Sequence, residues 1–439
     1  MRRNNLGIVR IGSLLVGVIL VLTAGASAAT GKVIYSFQGG SDGWQPVSDL
    51  VVDGAGNLYG TTEWGGNMAA CYNGCGTVFE LERTASDWKH HVLYSFGSLP
   101  DGRNPNAGLI FDGAGNLYGT TAGGGAHEYG TVFELSPGSH GGWTEKVLYS
   151  FTGETDGWNP AGDLVFDGEG NLYGTAFGGG NSQECGRQSF YGCGTVIELS
   201  PQLDGSWTET TIHPFTGVPD GAGPSSALIL DSAGNLYGMT LYGGDGPDCG
   251  GTYGYNPPGC GTVYELTPGS GGNWTETILH TFVRGGGYGI YPTGGLLFDS
   301  AGNLYGMSRA GGDGGGTVFE LRAAAKGSWQ ERILHIFYGK PDGWSPTGRM
   351  VRDAEGNMFG VTTLRGENKS GVVFELKPSE RGWEERILYN FPGDVNDYYE
   401  LPPGSGLVID REGHLYGTTQ NGGNTACNSG CGTVYEVTP

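Results

Sequence analysis

One phrase, written seven times, constrains this chain more than any other feature. "GNLYGTT" stands at 56–62 and again at 115–121, followed by GNLYGTA (170–176), GNLYGMT (234–240), GNLYGMS (302–308), GNMFGVT (356–362) and GHLYGTT (413–419). Each copy begins three residues after an Asp: Asp53, Asp112, Asp167, Asp231, Asp299, Asp353 and Asp410. Self-similarity at a period of nearly sixty residues means one supersecondary unit repeated seven times, each copy burying its apolar face against the next.

Within a unit four short apolar runs recur. In the second they are "GLIFD" (108–112), "NLYGTT" (116–121), "GTVFELS" (130–136) and "EKVLYSF" (145–151), here named strands a to d. They are β-branched and aromatic, and bounded by Gly, Pro, Asp or Asn. No stretch after residue 30 sustains a 3.6-residue period, so helix is nearly absent. The 88 Gly and 21 Pro would suggest disorder if scattered, but in register they punctuate turns.

Four antiparallel strands per unit, seven times over, predict an all-β chain folded as a seven-bladed β-propeller. "KVIYSF" (32–37) reads as a strand d with no a, b or c before it, and "GTVYEV" (432–437) as a strand c with no d after it. The N-terminal strand is therefore expected to close the ring by completing the last blade. A linear solenoid is the alternative, and it would not require this complementarity. The repeated phrase itself carries hairpin chemistry: Asp caps the turn with its side chain and Gly takes the positive φ. It lacks the alternating acids of a calcium loop and the Lys of a phosphate loop.

Residues 1–28 read as a secretory signal peptide, with Arg2, Arg3 and Arg10 ahead of "IGSLLVGVILVLTAG" and an Ala26-Ser27-Ala28 cut site. The propeller then spans 29–439, with a charge of 20 − 45 = −25 after cleavage. That balance argues against nucleic acid and anionic membrane as partners. The expectation is a secreted or periplasmic monomer, with no membrane attachment once the signal is gone.

Spacing separates two faces. From the Pro opening strand a to the turn Asp is always seven residues, whereas Asp to the strand-c Gly runs 23, 18, 27, 30, 17, 18 and 22. Length variation thus belongs to the b–c and d–a connections, which share one face, and any ligand site is expected there. Eight cysteines fall in four of the b–c loops: Cys71/Cys75, Cys185/Cys193, Cys249/Cys260 and Cys427/Cys431. An even count in local pairs on an exported chain reads as four disulfides within loops. Zinc binding or cross-links between neighbouring loops are the alternatives.

The d–a connections carry "DGWQP", "DGRNP", "DGWNP", "DGAGP" and "DGWSP". They read either as turns or as an acidic, aromatic rim around the channel mouth. The candidate ligand residues are Trp44, Trp158 and Trp344 with Asp42, Asp156 and Asp342. Units five and seven depart from the pattern and offer Tyr288, Tyr291, Tyr398 and Tyr399. No catalytic signature of the G-x-S-x-G or H-E-x-x-H kind occurs, so no catalytic or metal-binding residue is named. His213, His280 and His335 occupy the strand-d position held elsewhere by Tyr35, Tyr94, Tyr149 and Tyr389, and read as packing or edge residues.

The phrase "NLYGTT…GG…GTVFEL", closing on Phe, resembles the Gloeo-Verruco tandem repeat of exported bacterial proteins. The resemblance spans essentially the whole chain after the signal. It implies an exported repeat protein and supplies no catalytic residues. The functional expectation is a ligand-binding module for polysaccharide or another extracellular partner, without a cofactor, calcium being left open. An extracellular polysaccharide lyase or hydrolase, a metal-dependent lactonase, or a purely structural envelope protein are the alternatives.

Overall fold

Seven four-stranded antiparallel units stand around a central axis, each with strand order a-b-c-d from the channel outward. The computed structural model describes residues 29–439 except 140, 181–184, 186–191, 246–248, 250–258, 286, 325–326, 394–402 and 428. Residues 1–28, expected from sequence to be a signal peptide, and Tyr398 and Tyr399 lie outside the described residues. Blade 1 consists of Val51–Val52, Leu58–Thr62, Thr77–Arg83 and Trp88–Ser95. In blade 7, Thr30–Ser36 pairs antiparallel with Thr433–Thr438 and supplies strand d to Val408–Ile409 and Leu415–Thr419. The first strand closes the ring.

The seven-fold phrase is the a–b hairpin. Asp53 accepts the Ala55 and Asn57 N–H groups through Oδ1, and the Asn57 amide and Tyr59 hydroxyl through Oδ2. Asp112, Asp167, Asp231 and Asp299 repeat all four bonds. In blade 7 His414 replaces the Asn and bonds Asp410 through Nδ1 at 3.1 Å. Each carboxylate satisfies the donors of a tight turn, which is a scaffold role. The glycine after Tyr has a packing reason. A Cβ on Gly60 would stand 2.7 Å from Leu50 and 2.9 Å from the Phe79 ring, so strand c lays its aromatic over bare backbone.

The core lies between blades rather than within them. Phe96, at the end of blade 1, is fully buried with Leu109, Leu117 and Phe133 of blade 2. The same strand-d Phe meets the next strand-c aromatic edge-on at Phe37–Phe79, Phe96–Phe133, Phe282–Phe319 and Phe391–Tyr435. Burying one such ring contributes about 2–3 kcal/mol, so cohesion of the ring is distributed over every interface.

The tryptophans of the DGWxP segments do not stand free on the rim, because each pairs with backbone at or just beyond the end of strand b. Asp342–Arg352 is continuous in blade 6, with Trp344 opposite Leu364 and Pro346 opposite Thr362. Trp158 pairs with Gly178, and Trp44 bridges to Trp64. The residue before each Pro turns left-handed, with φ 56° at Gln45, 57° at Asn104, 54° at Asn159, 57° at Tyr291 and 58° at Ser345. That twist aims its N–H at the preceding blade: Gln45 bonds the Cys431 carbonyl at 3.0 Å, Asn104 that of Cys75 at 2.8 Å and Asn159 that of Tyr129 at 3.0 Å. Gly223 and Tyr291 reach Cys193 and Cys260 in the same way at 2.8 and 2.9 Å.

Those acceptors explain where the disulfides sit. Cys71–Cys75, Cys185–Cys193, Cys249–Cys260 and Cys427–Cys431 are all bonded within their own b–c loops. This excludes the zinc and cross-loop alternatives. In each pair the second Cys presents the carbonyl that receives the next blade's N–H, so the bond steadies a latch between blades.

Candidate functional site: the loop face and the outer blade interfaces

The b–c/d–a face holds an open cleft of about 440 Å³ across blades 1 to 3, walled by Trp64, Trp158 and Tyr129 with Glu63, Arg103 and Glu128 among its polar groups. Its position follows from register. Arg103 occupies in blade 2 the place held by Trp44 in blade 1 and Trp158 in blade 3, so a cation stands between two aromatic positions. Arg103 is paired with Glu128 at 2.8 Å, and the Asn104 amide donates to the Glu63 carbonyl at 3.1 Å. Burial holds the Glu63 carboxyl above its usual range, against a hydrogen bond from Trp64. The Trp158 indole lies over Gly178, where a Cβ would collide with the ring. Tyr129 is 39% exposed.

Of the residues expected from sequence, only Trp158 lines this cleft. Trp44 packs beside Trp64, with ring centroids 6.2 Å apart. Trp344 carries the Arg365 guanidinium over its ring at 4.1 Å. Tyr288 is 43% exposed, while Tyr291 is half-buried, edge-on to Tyr242 at 5.8 Å and donating to the Cys249 carbonyl at 3.4 Å. Trp64, Tyr129, Arg103 and Glu128 carry no motif in the sequence. Only their place in the variable loops, and the Trp-to-Arg change in register, could have marked them.

The aspartates expected on the rim turn inward instead. Asp42 accepts the Tyr35 hydroxyl at 2.8 Å and the Gln38 N–H at 2.7 Å, and faces His90 Nδ1 at 3.0 Å. Asp156 is buried and accepts from the Tyr149 hydroxyl and the Thr152 N–H at 2.8 and 2.6 Å. Asp342 accepts the Tyr338 N–H at 2.7 Å and faces His335 Nε2 at 2.8 Å. Each closes its d–a turn by accepting a backbone N–H and also faces a Tyr or His of strand d, which turns it away from the ligand face.

These turns complete a motif at the outer edge of the blade interfaces. A strand-d Tyr or His, the turn Asp and a residue two positions after the next blade's strand-d Trp meet there. The sets are Tyr94/Asp101/Glu145, Tyr149/Asp156/Glu209, His213/Asp220/Glu276, His335/Asp342/Glu385 and Tyr35/Asp42/His90. Between blades 4 and 5 no Asp is present, and His280 faces Glu331 at 3.5 Å. Burial, reinforced by Asp101, pushes the Glu145 carboxyl up to about 7. Burial and the adjacent aspartate likewise raise Glu276 and Glu385. The expectation that His213 and His335 merely pack is thus incomplete, since each meets two carboxyl groups.

Asp49, Asp163 and Arg349, from the inner edges of blades 1, 3 and 6, line a cavity of about 170 Å³. Asp49 accepts the Gly406 N–H and Asp163 the Gly108 N–H, each at 2.6 Å, and Arg349 stands 4.0 Å from Asp49. Burial and the Asp163 charge raise the Asp49 carboxyl, against the pull of Arg349. No helix among the described residues is long and apolar enough to cross a membrane.

A family model described as a Gloeobacter/Verrucomicrobia repeat matches residues 10–245 and 245–439. The chain belongs to this repeat family. No curated protein matches the chain. Among solved structures it is similar to a Dyadobacter fermentans protein of unknown function, at 11% identity, TM-score 0.44, covering 94% of this chain and 98% of that one. It is similar also to a gluconolactonase from Xanthomonas campestris, at 15% identity and TM-score 0.39, covering 74% and 82%. A luciferin-regenerating enzyme matches at 15% identity and TM-score 0.40, covering 76% and 90%. At these values the likeness carries no activity over to this chain.

Proposed function

We propose that the protein is an exported ligand-binding module whose b–c/d–a face takes a neutral polysaccharide in the cleft between blades 1 and 3. The observation that carries this reading is the pairing of Trp64, Trp158 and Tyr129 with Arg103, Glu128 and Asn104 in one open 440 Å³ space. Aromatic faces suit the apolar side of a sugar ring, while flanking polar groups bond its hydroxyls. Four disulfides fit maturation in an oxidising compartment, extracellular or periplasmic, where such polymers are met. The acidic balance disfavours polyanions. A glycan array followed by calorimetry on the hit tests the reading. The double variant W64A/W158A should lose about tenfold or more in affinity with the melting transition kept cooperative. A blank array, or unchanged affinity in that variant, overturns it.

A second reading, an enzyme of hydrolase, lyase or lactonase type, draws on the convergence of Asp49, Asp163 and Arg349 in the channel. Both carboxylates already accept backbone N–H groups of neighbouring blades, which favours a pinning role. Turnover of a polysaccharide or lactone that disappears in D49N would reverse that preference.

A further inference from the structure

We propose that the protein binds two divalent transition-metal ions of the zinc class, one on His213, Asp220 and Glu276 and the other on His335, Asp342 and Glu385. In both sets the ligand atoms lie within 4.8 Å of one another. His213 Nε2 stands 3.3 Å from Asp220 Oδ1 and 3.6 Å from Glu276 Oε1, and His335 Nε2 stands 2.8 Å from Asp342 Oδ1 and 3.6 Å from Glu385 Oε1. Ligands at about 2.0–2.1 Å from a tetrahedral zinc lie about 3.3 Å apart. Small side-chain adjustments would bring these atoms onto one ion, with the fourth position left to water.

Three further observations point the same way. Glu276 Oε1 and Glu385 Oε1 are buried and receive no hydrogen bond from an N–H or hydroxyl donor, and each glutamate meets the turn aspartate instead, a carboxyl pair that a cation would bridge. Each aspartate is aimed from behind: Asp220 Oδ2 accepts the Thr216 N–H at 2.8 Å and hydroxyl at 3.0 Å, and Asp342 Oδ2 accepts the Tyr338 N–H at 2.7 Å. This spends one oxygen on the turn and orients the other toward the histidine, the arrangement that outer partners give metal-binding carboxylates. The histidine rings are fixed edge-on against the buried Phe215 and Phe337, at 4.7 and 4.6 Å.

The repeat supplies its own comparison. Where Tyr94 and Tyr149 replace histidine, the hydroxyl donates to Asp101 and Asp156 at 2.9 and 2.8 Å, and the set offers no nitrogen ligand. Histidine with two carboxyls offers instead one nitrogen and two oxygens, a donor set suited to zinc, cobalt or nickel rather than calcium. Because the ligands come from strand d of one blade, its outgoing turn and strand d of the next, each ion would staple blades 3 to 4 and 5 to 6. His280 and Glu331 provide only two ligands. The third His-containing cluster, Asp410/Glu412/His414, already has the Arg83 guanidinium at 3.6 and 3.1 Å from its two acids.

The test uses tag-free protein, stripped with chelator and titrated with zinc chloride by calorimetry. The visible absorption of cobalt(II) reports the same sites. About two equivalents are expected. H213Y and H335Y should each remove one, and the double variant both. H280Y should leave the stoichiometry unchanged. Each substitution installs the residue that blades 1, 2, 6 and 7 carry at that position, so circular dichroism of the stripped variants checks that the fold is kept. Zinc should raise the melting temperature of the parent and not of the double variant. Absence of zinc and cobalt binding to the parent, or two equivalents persisting in the folded double variant, overturns the proposal. Should H213Y and H335Y fail to fold, E276Q and E385Q carry the same stepwise loss.

Discussion

At the residue scale, the repeated chemistry is explained by what each side chain must satisfy. The hairpin Asp binds four donors, and the strand-b Gly makes room for an aromatic ring. The buried acid of the outer motif is the exception, because Glu145 Oε1 has no partner. Its carboxyl rises from an ordinary value of 4.5 to about 7 through burial first and Asp101 second. A carboxyl whose folded value is raised binds its proton more tightly in the native state. The associated stability is therefore fully present below about 4.5 and is lost as the pH climbs through about 7. Glu145→Gln, which keeps the shape without the charge, should melt several degrees above the parent at alkaline pH and lose most of that advantage near pH 5. Melting curves at the two pH values decide it, and an equal gap at both would show that the charge is tolerated.

At the element scale, the inner strand does more than line the channel. Its left-handed residue before Pro directs an N–H into the preceding blade, as from Asn159 to the Tyr129 carbonyl. Non-Gly residues rarely adopt this conformation, and a β-branched one meets the largest steric penalty. Asn159→Val should cost about 1–2 kcal/mol, whereas Asn159→Gly should be close to neutral, because the latch needs the backbone and not the amide. Urea denaturation of the two variants separates the cases. Equal costs would mean that the Asn side chain holds the latch. The same geometry corrects the reading of the three Trp residues: a Trp in a paired strand contributes to stability as well as to any binding surface.

On the scale of the whole molecule, closure of the ring depends on Thr30–Ser36 pairing with Thr433–Thr438. Phe37 lies fully buried against Phe79, so the closing segment also fills the interface with blade 1. Deleting residues 29–38 should expose the edge of strand c, broaden the unfolding transition and promote aggregation. Scanning calorimetry with light scattering checks this, and a variant that melts as sharply as the parent would show that the seam holds without this strand.

Local chemistry is legible in the chain: blade number, strand identity, hairpin turns and the closing strand follow from patterns within one repeat or from the count of repeats. The cysteines announce local pairs in the same way, and the folded loops choose disulfides over zinc or cross-loop bonds. The rest is settled by the packing of the ring. Asp42, Asp156 and Asp342 looked available at the rim, yet the d–a turn folds them inward onto Tyr35, Tyr149 and His335. Trp64 and Arg103 join Trp158 in a cleft only because three consecutive blades are wrapped around one axis. His213 and Glu276 stand one repeat apart in the chain, and no local pattern relates them. They meet because successive sheets pack face to face, placing strand d of one blade against strand d of the next. Chain order records what lies inside a blade, whereas the sites lie between blades, where distance is set by the packing of the ring.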